Sequence, residues 1–511
     1  MRSTKNWTIP LLVVFLLQVL VQTLTVVIVL QLDMLPSKYV LLLVGVMGFI
    51  ALGTGLLFFV KVKGRVSLTR RIITCFLAVL IVCGCAFVSK SIAQVHKTVQ
   101  SVTGVTLETD GANMYAVVRQ DDAAQKLADT KGYTYGAIDS KYDVDIKRTE
   151  KMLELVSAEI GGTPNVKKYP DKGALADALL NKEIDVMLIN GVTLGLLLEE
   201  KDEDETFQAK LRILYSVPCE KLDDKPSTVP DPPDQPDPGK NVTNAPFVVY
   251  ISGSDARTNT ILKSSRSDVN ILMIVNPVTK QILLLNTPRD YYIGNPHYGG
   301  ALDKLTHCGN AGVGNSMLAL EELYGVDIPY YGHINFVGFE KLIDDIGGIT
   351  IYSDQAFTAR ATKIKKGENY LNGTQALDFS RERYHVNGGD NGRGKNQMKV
   401  ISAVIKKMTT GTTLITKYSE ILSDLEGLVA FNLQSEDISM LVKMQLSDMA
   451  SWNVQSFAVT GTNGSEETCS MPGDILYVMH PDEKSVAYAS ELIDRVLAGE
   501  KLTEADMKVP E

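Results

Sequence analysis

"SDVNILMIVNPVTKQILLLNTPRDYYI", residues 267–293, decides the fold of the larger part of this chain. Two apolar runs of strand length, rich in Ile, Leu and Val, flank Asn276 to Lys280, a Pro-containing connection of the hairpin kind. Just upstream, "PFVVYISGSDART" (246–258) reads as a third, buried-type strand that ends in Ser-Gly-Ser-Asp. The polar residues gather where these strands begin or end. Asp255 follows the first strand, Arg266 and Asp268 precede the second, and Arg289 and Asp290 follow the third. Antiparallel neighbours therefore bring all five to one edge of a sheet. Two carboxylates among arginines suit a hard divalent ion such as Mg²⁺, which takes one or two carboxylates and fills its shell with water and phosphate oxygens. They suit an Asp–Arg salt-bridge network equally well.

A second polar stretch lies about a hundred residues on. "FSRERYHVNGGDNGRGKNQ" (379–397) gathers Arg381, Arg383, Arg393 and Lys395 in a Gly-rich segment and leads into "KNQMKVISAVIKKM", whose apolar residues recur at helical spacing. A helix start offers free N–H groups and the positive end of a dipole, and guanidinium forks beside it suit phosphate. Arg381 and Arg383, two apart, are expected to face one way on an extended segment. Gly389, Gly394 and Lys395 also fit a nucleotide P-loop, but Asn396 stands where Ser or Thr should bind the metal and no apolar strand precedes the loop.

The front of the chain differs. Residues 9–32, 39–60 and 72–89 lack Lys and Arg and are each long enough to cross a hydrocarbon core of about 30 Å. The basic run "KVKGRVSLTRR" (61–71) between the second and third spans belongs in the cytoplasm by the positive-inside rule, as do Arg2 and Lys5. Three crossings then place everything after residue 90 outside. A net charge of −9 and this topology argue against a nucleic-acid partner. Of six cysteines, Cys75, Cys83 and Cys85 fall in the third span, and the remaining three show no disulfide framework or zinc spacing.

Residues 91–222 alternate short apolar strands ("MYAVV", "IDVMLIN") with helical patterns at Asp121 to Asp129 and around Leu175 to Leu180, a small α/β domain. Asp143 and Asp145 suit a helix N-terminus. Residues 223–246, with prolines and aspartates throughout, form an extended acidic spacer, and residues 247–511 form the last domain. Within it, 412–429 and 435–450 read as amphipathic helices and "VQSFAV" as a late strand, while His480 reads as structural.

The motifs "YISGSD", "SRSDVNILMIVNP", "TPRD", "KLIDDIGGI" and "ALDFSRERYHVNGGDNGRGKNQ", in this order, resemble the LytR-CpsA-Psr family of cell-wall glycopolymer transferases over residues 245 to about 410. The layout resembles capsule-type members with several spans and an extra domain. The resemblance implies a three-layer α/β/α catalytic domain with a mixed sheet and a hydrophobic tunnel for a polyprenyl tail. It implies transfer of a glycan, capsular polysaccharide or teichoic acid, with one phosphate, from undecaprenyl pyrophosphate to a peptidoglycan hydroxyl. In that setting Asp255 and Asp268 would hold Mg²⁺ or Mn²⁺, and Arg289, Arg381, Arg383, Arg393 and Gln397 would grip the pyrophosphate, supported by Arg266. Asp268 or Asp290 would accept the hydroxyl proton. Asn396 stands where many members carry Arg, with Lys395 expected to compensate. The implied setting is a Gram-positive cell membrane, with the catalytic domain outside and capsule-assembly proteins as partners. A non-catalytic carrier of lipid-linked glycan and a membrane-bound regulator are the rival functions.

Overall fold

The structure, a computed structural model, describes residues 8–31, 35–60, 68–102, 113–200, 206–222, 242–254, 265–410 and 417–510. Helices α1 (Thr8–Gln31), α2 (Ser37–Phe59) and α3 (Leu68–Val102) come first. Each contains 23 residues long and apolar enough to cross a membrane. Several of their polar side chains turn inward and pair. Gln18 Nε2 donates to Thr54 Oγ1 at 3.0 Å, and the Thr25 and Ser89 hydroxyls lie 3.0 Å apart. Such pairs join helices where lipid offers no alternative partner. At the start of α2, Lys38 Nζ donates to the Ser447 carbonyl at 2.7 Å, which ties the helical bundle to the last part of the chain.

Strands β1 (Asn113–Arg119), β2 (Thr134–Ile138), β3 (Asn165–Tyr169), β4 (Val186–Asn190) and β5 (Leu211–Pro218) form one sheet in the order β3-β2-β4-β1-β5. It is flanked by α4 (Asp143–Ile160), α5 (Lys172–Leu180), α6 (Gly191–Glu200) and the short α7 (Thr206–Ala209). Asp143 and Asp145 do lie in the first turn of α4. The helix expected from Asp121 to Asp129 does not form. Asp129 accepts from the backbone N–H of Gln125 and Lys126 (3.0 and 3.1 Å), and this local bonding leaves only a 3-10 turn at Leu127–Thr130.

The remaining residues build a six-stranded mixed sheet. β6 (Phe247–Ser254), β7 (Val269–Asn276) and β8 (Gln281–Asn286) are antiparallel neighbours, as their hairpin connection predicts. After the small pair β9 (Tyr292–Asn295) and β10 (Ala301–Lys304) come α8 (Leu305–Cys308), α9 (Val313–Tyr324), β11 (Tyr330–Asn335) and α10 (Phe336–Asp345). Four further strands follow, β12 (Ile349–Ser353), β13 (Phe357–Ala359), β14 (Thr362–Ile364) and β15 (Gly367–Leu371). Then come α11 (Gly373–Arg381), α12 (Gly389–Thr409), α13 (Tyr418–Leu425), β16 (Val429–Phe431) and α14 (Ser435–Asp448). The chain finishes with β17 (Asn453–Ala458), the hairpin β18 (Gly461–Thr468) and β19 (Met471–Pro481), and α15 (Glu483–Leu497).

The main sheet runs β16-β11-β6-β7-β8-β17, with β11 parallel to β6 and β17 parallel to β8. One face packs α9 and α15 over Tyr250, Leu272, Ile274 and Leu283. The other packs Met398 and Ile401 of α12 and Met440 and Leu441 of α14 over Val249, Ile271 and Leu284. This is the α/β/α sandwich. The smaller α/β unit sits against the β9–β10 and β18–β19 region through Val192, Leu196, Tyr298, Ala311 and Cys469, with Lys172 Nζ 2.7 Å from Asp474.

Candidate functional site

Register alone brings the strand-end residues together. Gly253 of β6 faces Val269 of β7, the Asp268 N–H donates to the Gly253 carbonyl at 2.8 Å, and the Thr287 N–H donates to Asn270 O at 2.9 Å. Asp268 therefore stands beside the β8 exit. Arg289 Nη1 lies 2.5 Å from Asp268 Oδ1, and its Nε lies 3.9 Å from Asp290 Oδ1. Asp255, the other expected metal ligand, lies outside the described residues. Arg266 is half-buried next to Ser267, whose hydroxyl joins a buried relay. Ser267 Oγ is 2.8 Å from Ser252 Oγ and 3.0 Å from Tyr250 Oη, and His333 Nδ1 is 2.9 Å from Ser252 Oγ. The relay and the close approach of Gly309, where a Cβ would come within 2.6 Å of the Ser265 carbonyl, fix the segment that carries Arg266 and Asp268.

The Gly-rich stretch completes the site, though not as an extended loop. An Asn372–Gln375 capping box starts α11, which runs through to Arg381, so the alternation expected of Arg381 and Arg383 is lost to helical geometry. The Arg381 guanidinium lies 4.2 Å over the Phe336 ring at the start of α10, and Arg383 Nη2 donates to Tyr384 Oη at 2.6 Å. Gly388 and Gly389, with φ of 89° and 55°, make the left-handed turn into α12, which starts at Gly389 and not at Lys395. Arg393 and Gln397 thus lie one helical turn apart, both buried. A helix before the turn and a helix already running through it also remove the P-loop match.

The packing of α12 on the sheet edge is close, since a Cβ at Gly394 would come within 2.3 Å of Asn286 Nδ2. Arg393 Nη2 lies 2.5 Å from Asp390 Oδ1. Burial raises the Asp390 carboxyl above the ordinary range, with Arg393, Arg289 and Arg383 pulling down and Asp290 pushing up. One field therefore joins the strand-end group to the helix-start group.

Three contributors escape the sequence reading: Asp390, Lys304 and Tyr477. Lys304 Nζ, at the end of β10, lies 3.1 Å from Asp290 Oδ1 and 6.0 Å from the centre of the Tyr477 ring. Burial and the charges of Asp290 and Asp390 push the Tyr477 phenol up. Asp390 was visible within the quoted Gly-rich stretch, but Lys304 and Tyr477 carry no local signal. Lys395 does not join these cations. It projects from the opposite flank of α12, so the additional cation of this cluster is Lys304. Among the described residues, no three His, Cys, Asp or Glu side chains gather as a metal cluster. His480 pairs with Glu466 at 3.1 Å on the β18–β19 hairpin.

Residues 220–487 match the model of the LytR_cpsA_psr family, more than half of the chain. The protein belongs to this family. A segment of 197 residues, 38% of this chain, is 34% identical to the Bacillus cereus polyisoprenyl-teichoic acid–peptidoglycan teichoic acid transferase TagU and covers 62% of it. The TagU of Oceanobacillus iheyensis is 33% identical over 201 residues, 38% of this chain and 61% of the relative. The chain thus spans somewhat less than two thirds of the length of these LytR_cpsA_psr relatives. Among solved structures, B. subtilis TagV superposes on 51% of this chain and 99% of its own with 22% identity and a TM-score of 0.42. Lin1025 of Listeria innocua does so on 50% and 99% with 28% identity and a TM-score of 0.40.

Proposed function

We propose that this LytR_cpsA_psr protein is a membrane-anchored phosphotransferase that moves a glycopolymer from a polyprenyl pyrophosphate to peptidoglycan on the outer face of the cell membrane. The observation that carries the reading is the meeting of Arg289 from a strand end with Arg393 from a helix start around Asp390, beside Lys304 and Arg383. Such a set of cations, only partly balanced by Asp268, Asp290 and Asp390, suits a ligand with several anionic oxygens. TagU relatives named for teichoic acid transfer to peptidoglycan support the substrate class.

Phosphoryl transfer asks a protein mainly to position reactants and neutralise charge on oxygens. The acceptor hydroxyl oxygen forms a bond to the phosphorus that carries the glycan, and the bond from that phosphorus to the bridging oxygen breaks. Polyprenyl phosphate leaves with the bond electrons. Arg289, Arg393 and Arg383 bind the equatorial and leaving oxygens, Gln397 orients them, and Arg381 and Arg266 support from the flanks. Asp268 or Asp290 takes the hydroxyl proton. Asp268, with Asp255, would supply hard oxygen donors for Mg²⁺, which would neutralise pyrophosphate charge. The test is transfer of labelled glycan from a polyprenyl-pyrophosphate donor to peptidoglycan fragments by the full chain in lipid nanodiscs, with Mg²⁺ or EDTA. Metal-dependent product supports the reading, whereas donor binding without product identifies a carrier.

A further inference from the structure

One cavity of the catalytic unit is not used by the cation cluster. It measures about 610 Å³ and lies on the opposite flank of α12, where Lys395, Asn396 and Lys399 face the edge strand β17. Arg393, paired with Asp390, belongs to the same helical turns, so the cavity and the cluster share one helix start.

β17 ends the sheet, paired only with β8 among the described strands. The Asn453 N–H donates to Lys280 O at 2.8 Å and the Val459 N–H to Asn286 O at 3.2 Å. Parallel pairing alternates, so the odd-numbered residues between them direct their backbone groups to β8, and Val454, Ser456 and Ala458 direct theirs outward. Ser456 and Ala458 line the cavity. An outward row of N–H and C=O groups beside a groove is the arrangement that accepts an added extended peptide. The charge of the lining agrees with one kind of peptide. It carries Lys395, Lys399 and Lys508 against the single acid Asp354, which pairs with Lys399 at 2.5 Å.

We infer that this cavity seats the stem peptide of the peptidoglycan acceptor, its backbone added to the edge of β17 and its carboxylates facing Lys395 and Lys508. The inference rests on the transferase reading and names the side of α12 from which the acceptor approaches. Of the two reactants, only the acceptor has both a peptide backbone for the strand edge and carboxylates for the lysines.

The test needs no turnover. Binding of a fluorescent muropeptide with its stem peptide, and of the same glycan with the peptide removed, is measured on the full chain in nanodiscs. Ser456→Pro deletes one outward N–H on an edge strand, where proline is tolerated. Lys395→Glu reverses one charge. Each is expected to weaken the peptide-bearing fragment about tenfold, the equivalent of about 1.4 kcal/mol, and to leave the stripped glycan and polyprenyl pyrophosphate unaffected. Unchanged muropeptide binding in both variants overturns the inference. So does equal weakening of the stripped glycan, or a loss of donor binding, which would give the cavity to the donor's sugars. Failure of the transferase reading shows separately, as muropeptide binding without any product in the transfer assay.

Discussion

Two of this protein's clusters of ionisable side chains are built in opposite ways. In the candidate site Arg289, Asp268, Asp290, Lys304, Asp390 and Arg393 keep between 10% and 19% of their side-chain surface open. Where the smaller α/β unit meets the larger α/β/α unit, Arg148, His297, Asp303 and His307 are all buried, and every one is paired internally. Arg148 Nη1 lies 3.0 Å from His297 Nε2, and Asp303 Oδ1 lies 2.8 Å from His307 Nδ1. Burial, and then Arg148, lower the His297 pKa to about 3, so the ring stays neutral and accepts from the guanidinium. Charges that remain reachable can receive a ligand, whereas charges sealed and satisfied among themselves specify how two surfaces fit.

The comparison breaks if the sealed cluster proves catalytic or the open one structural. The largest effect is expected in the open cluster. Arg289→Ala and Arg393→Ala should each lower transfer by about 10²–10³-fold, as for loss of one transition-state donor, with melting temperature nearly unchanged. In the sealed cluster Arg148→Ala should destabilise by about 3 kcal/mol because it leaves buried acceptors without their donor, while folded protein retains donor affinity. Thermal unfolding and donor binding measured together distinguish the two patterns. Gly394→Ala tests the join between α12, which carries the open cluster's Asp390 and Arg393, and the sheet. Overpacking against Asn286 should cost about 1–3 kcal/mol and shift Arg393, so stability and transfer fall together.

The smallest effect is a change in pH dependence. His297 has a folded pKa of about 3, below its ordinary 6.5, so the unfolded chain takes up the proton first and stability is lost as pH falls below 6.5. Asp145, raised by burial from 3.8 to about 6, acts oppositely, and stability is gained as pH falls from 6 towards 3.8. The two nearly offset each other between pH 6 and 4. A His297→Gln variant should therefore gain melting temperature from pH 6.5 to 4 relative to the wild-type curve, and parallel curves would count against this assignment.

How much was legible in the sequence follows the same division. The three apolar helices, the β6–β7–β8 core and the strand-end positions of Asp268, Arg289 and Asp290 follow from local pattern, because hydrophobic runs and hairpin register are short-range properties. Arg393 and Gln397 were legible as a helix-start pair, but the helix begins earlier because two glycines in the left-handed turn allow it. Lys304 and Tyr477 were not legible. They reach the site from β10 and β19, which pair locally with β9 and β18. Long-range bonds join these pairs to each other and to the strand-end segment, such as Met479 N–H to Asp290 O at 2.7 Å and Cys469 N–H to Leu302 O at 3.1 Å. The sealed contact of Arg148 with His297 joins residues 149 apart and has no local signature.

The central claim is that a strand-end arginine and a helix-start arginine grip one pyrophosphate. It is tested most directly by a double-mutant cycle on donor affinity with Arg289→Ala, Arg393→Ala and the pair, using polyprenyl pyrophosphate and the full chain in nanodiscs. Shared contact with one ligand predicts a coupling energy of about 1 kcal/mol or more. Strict additivity, or donor affinity untouched by either substitution, would contradict it.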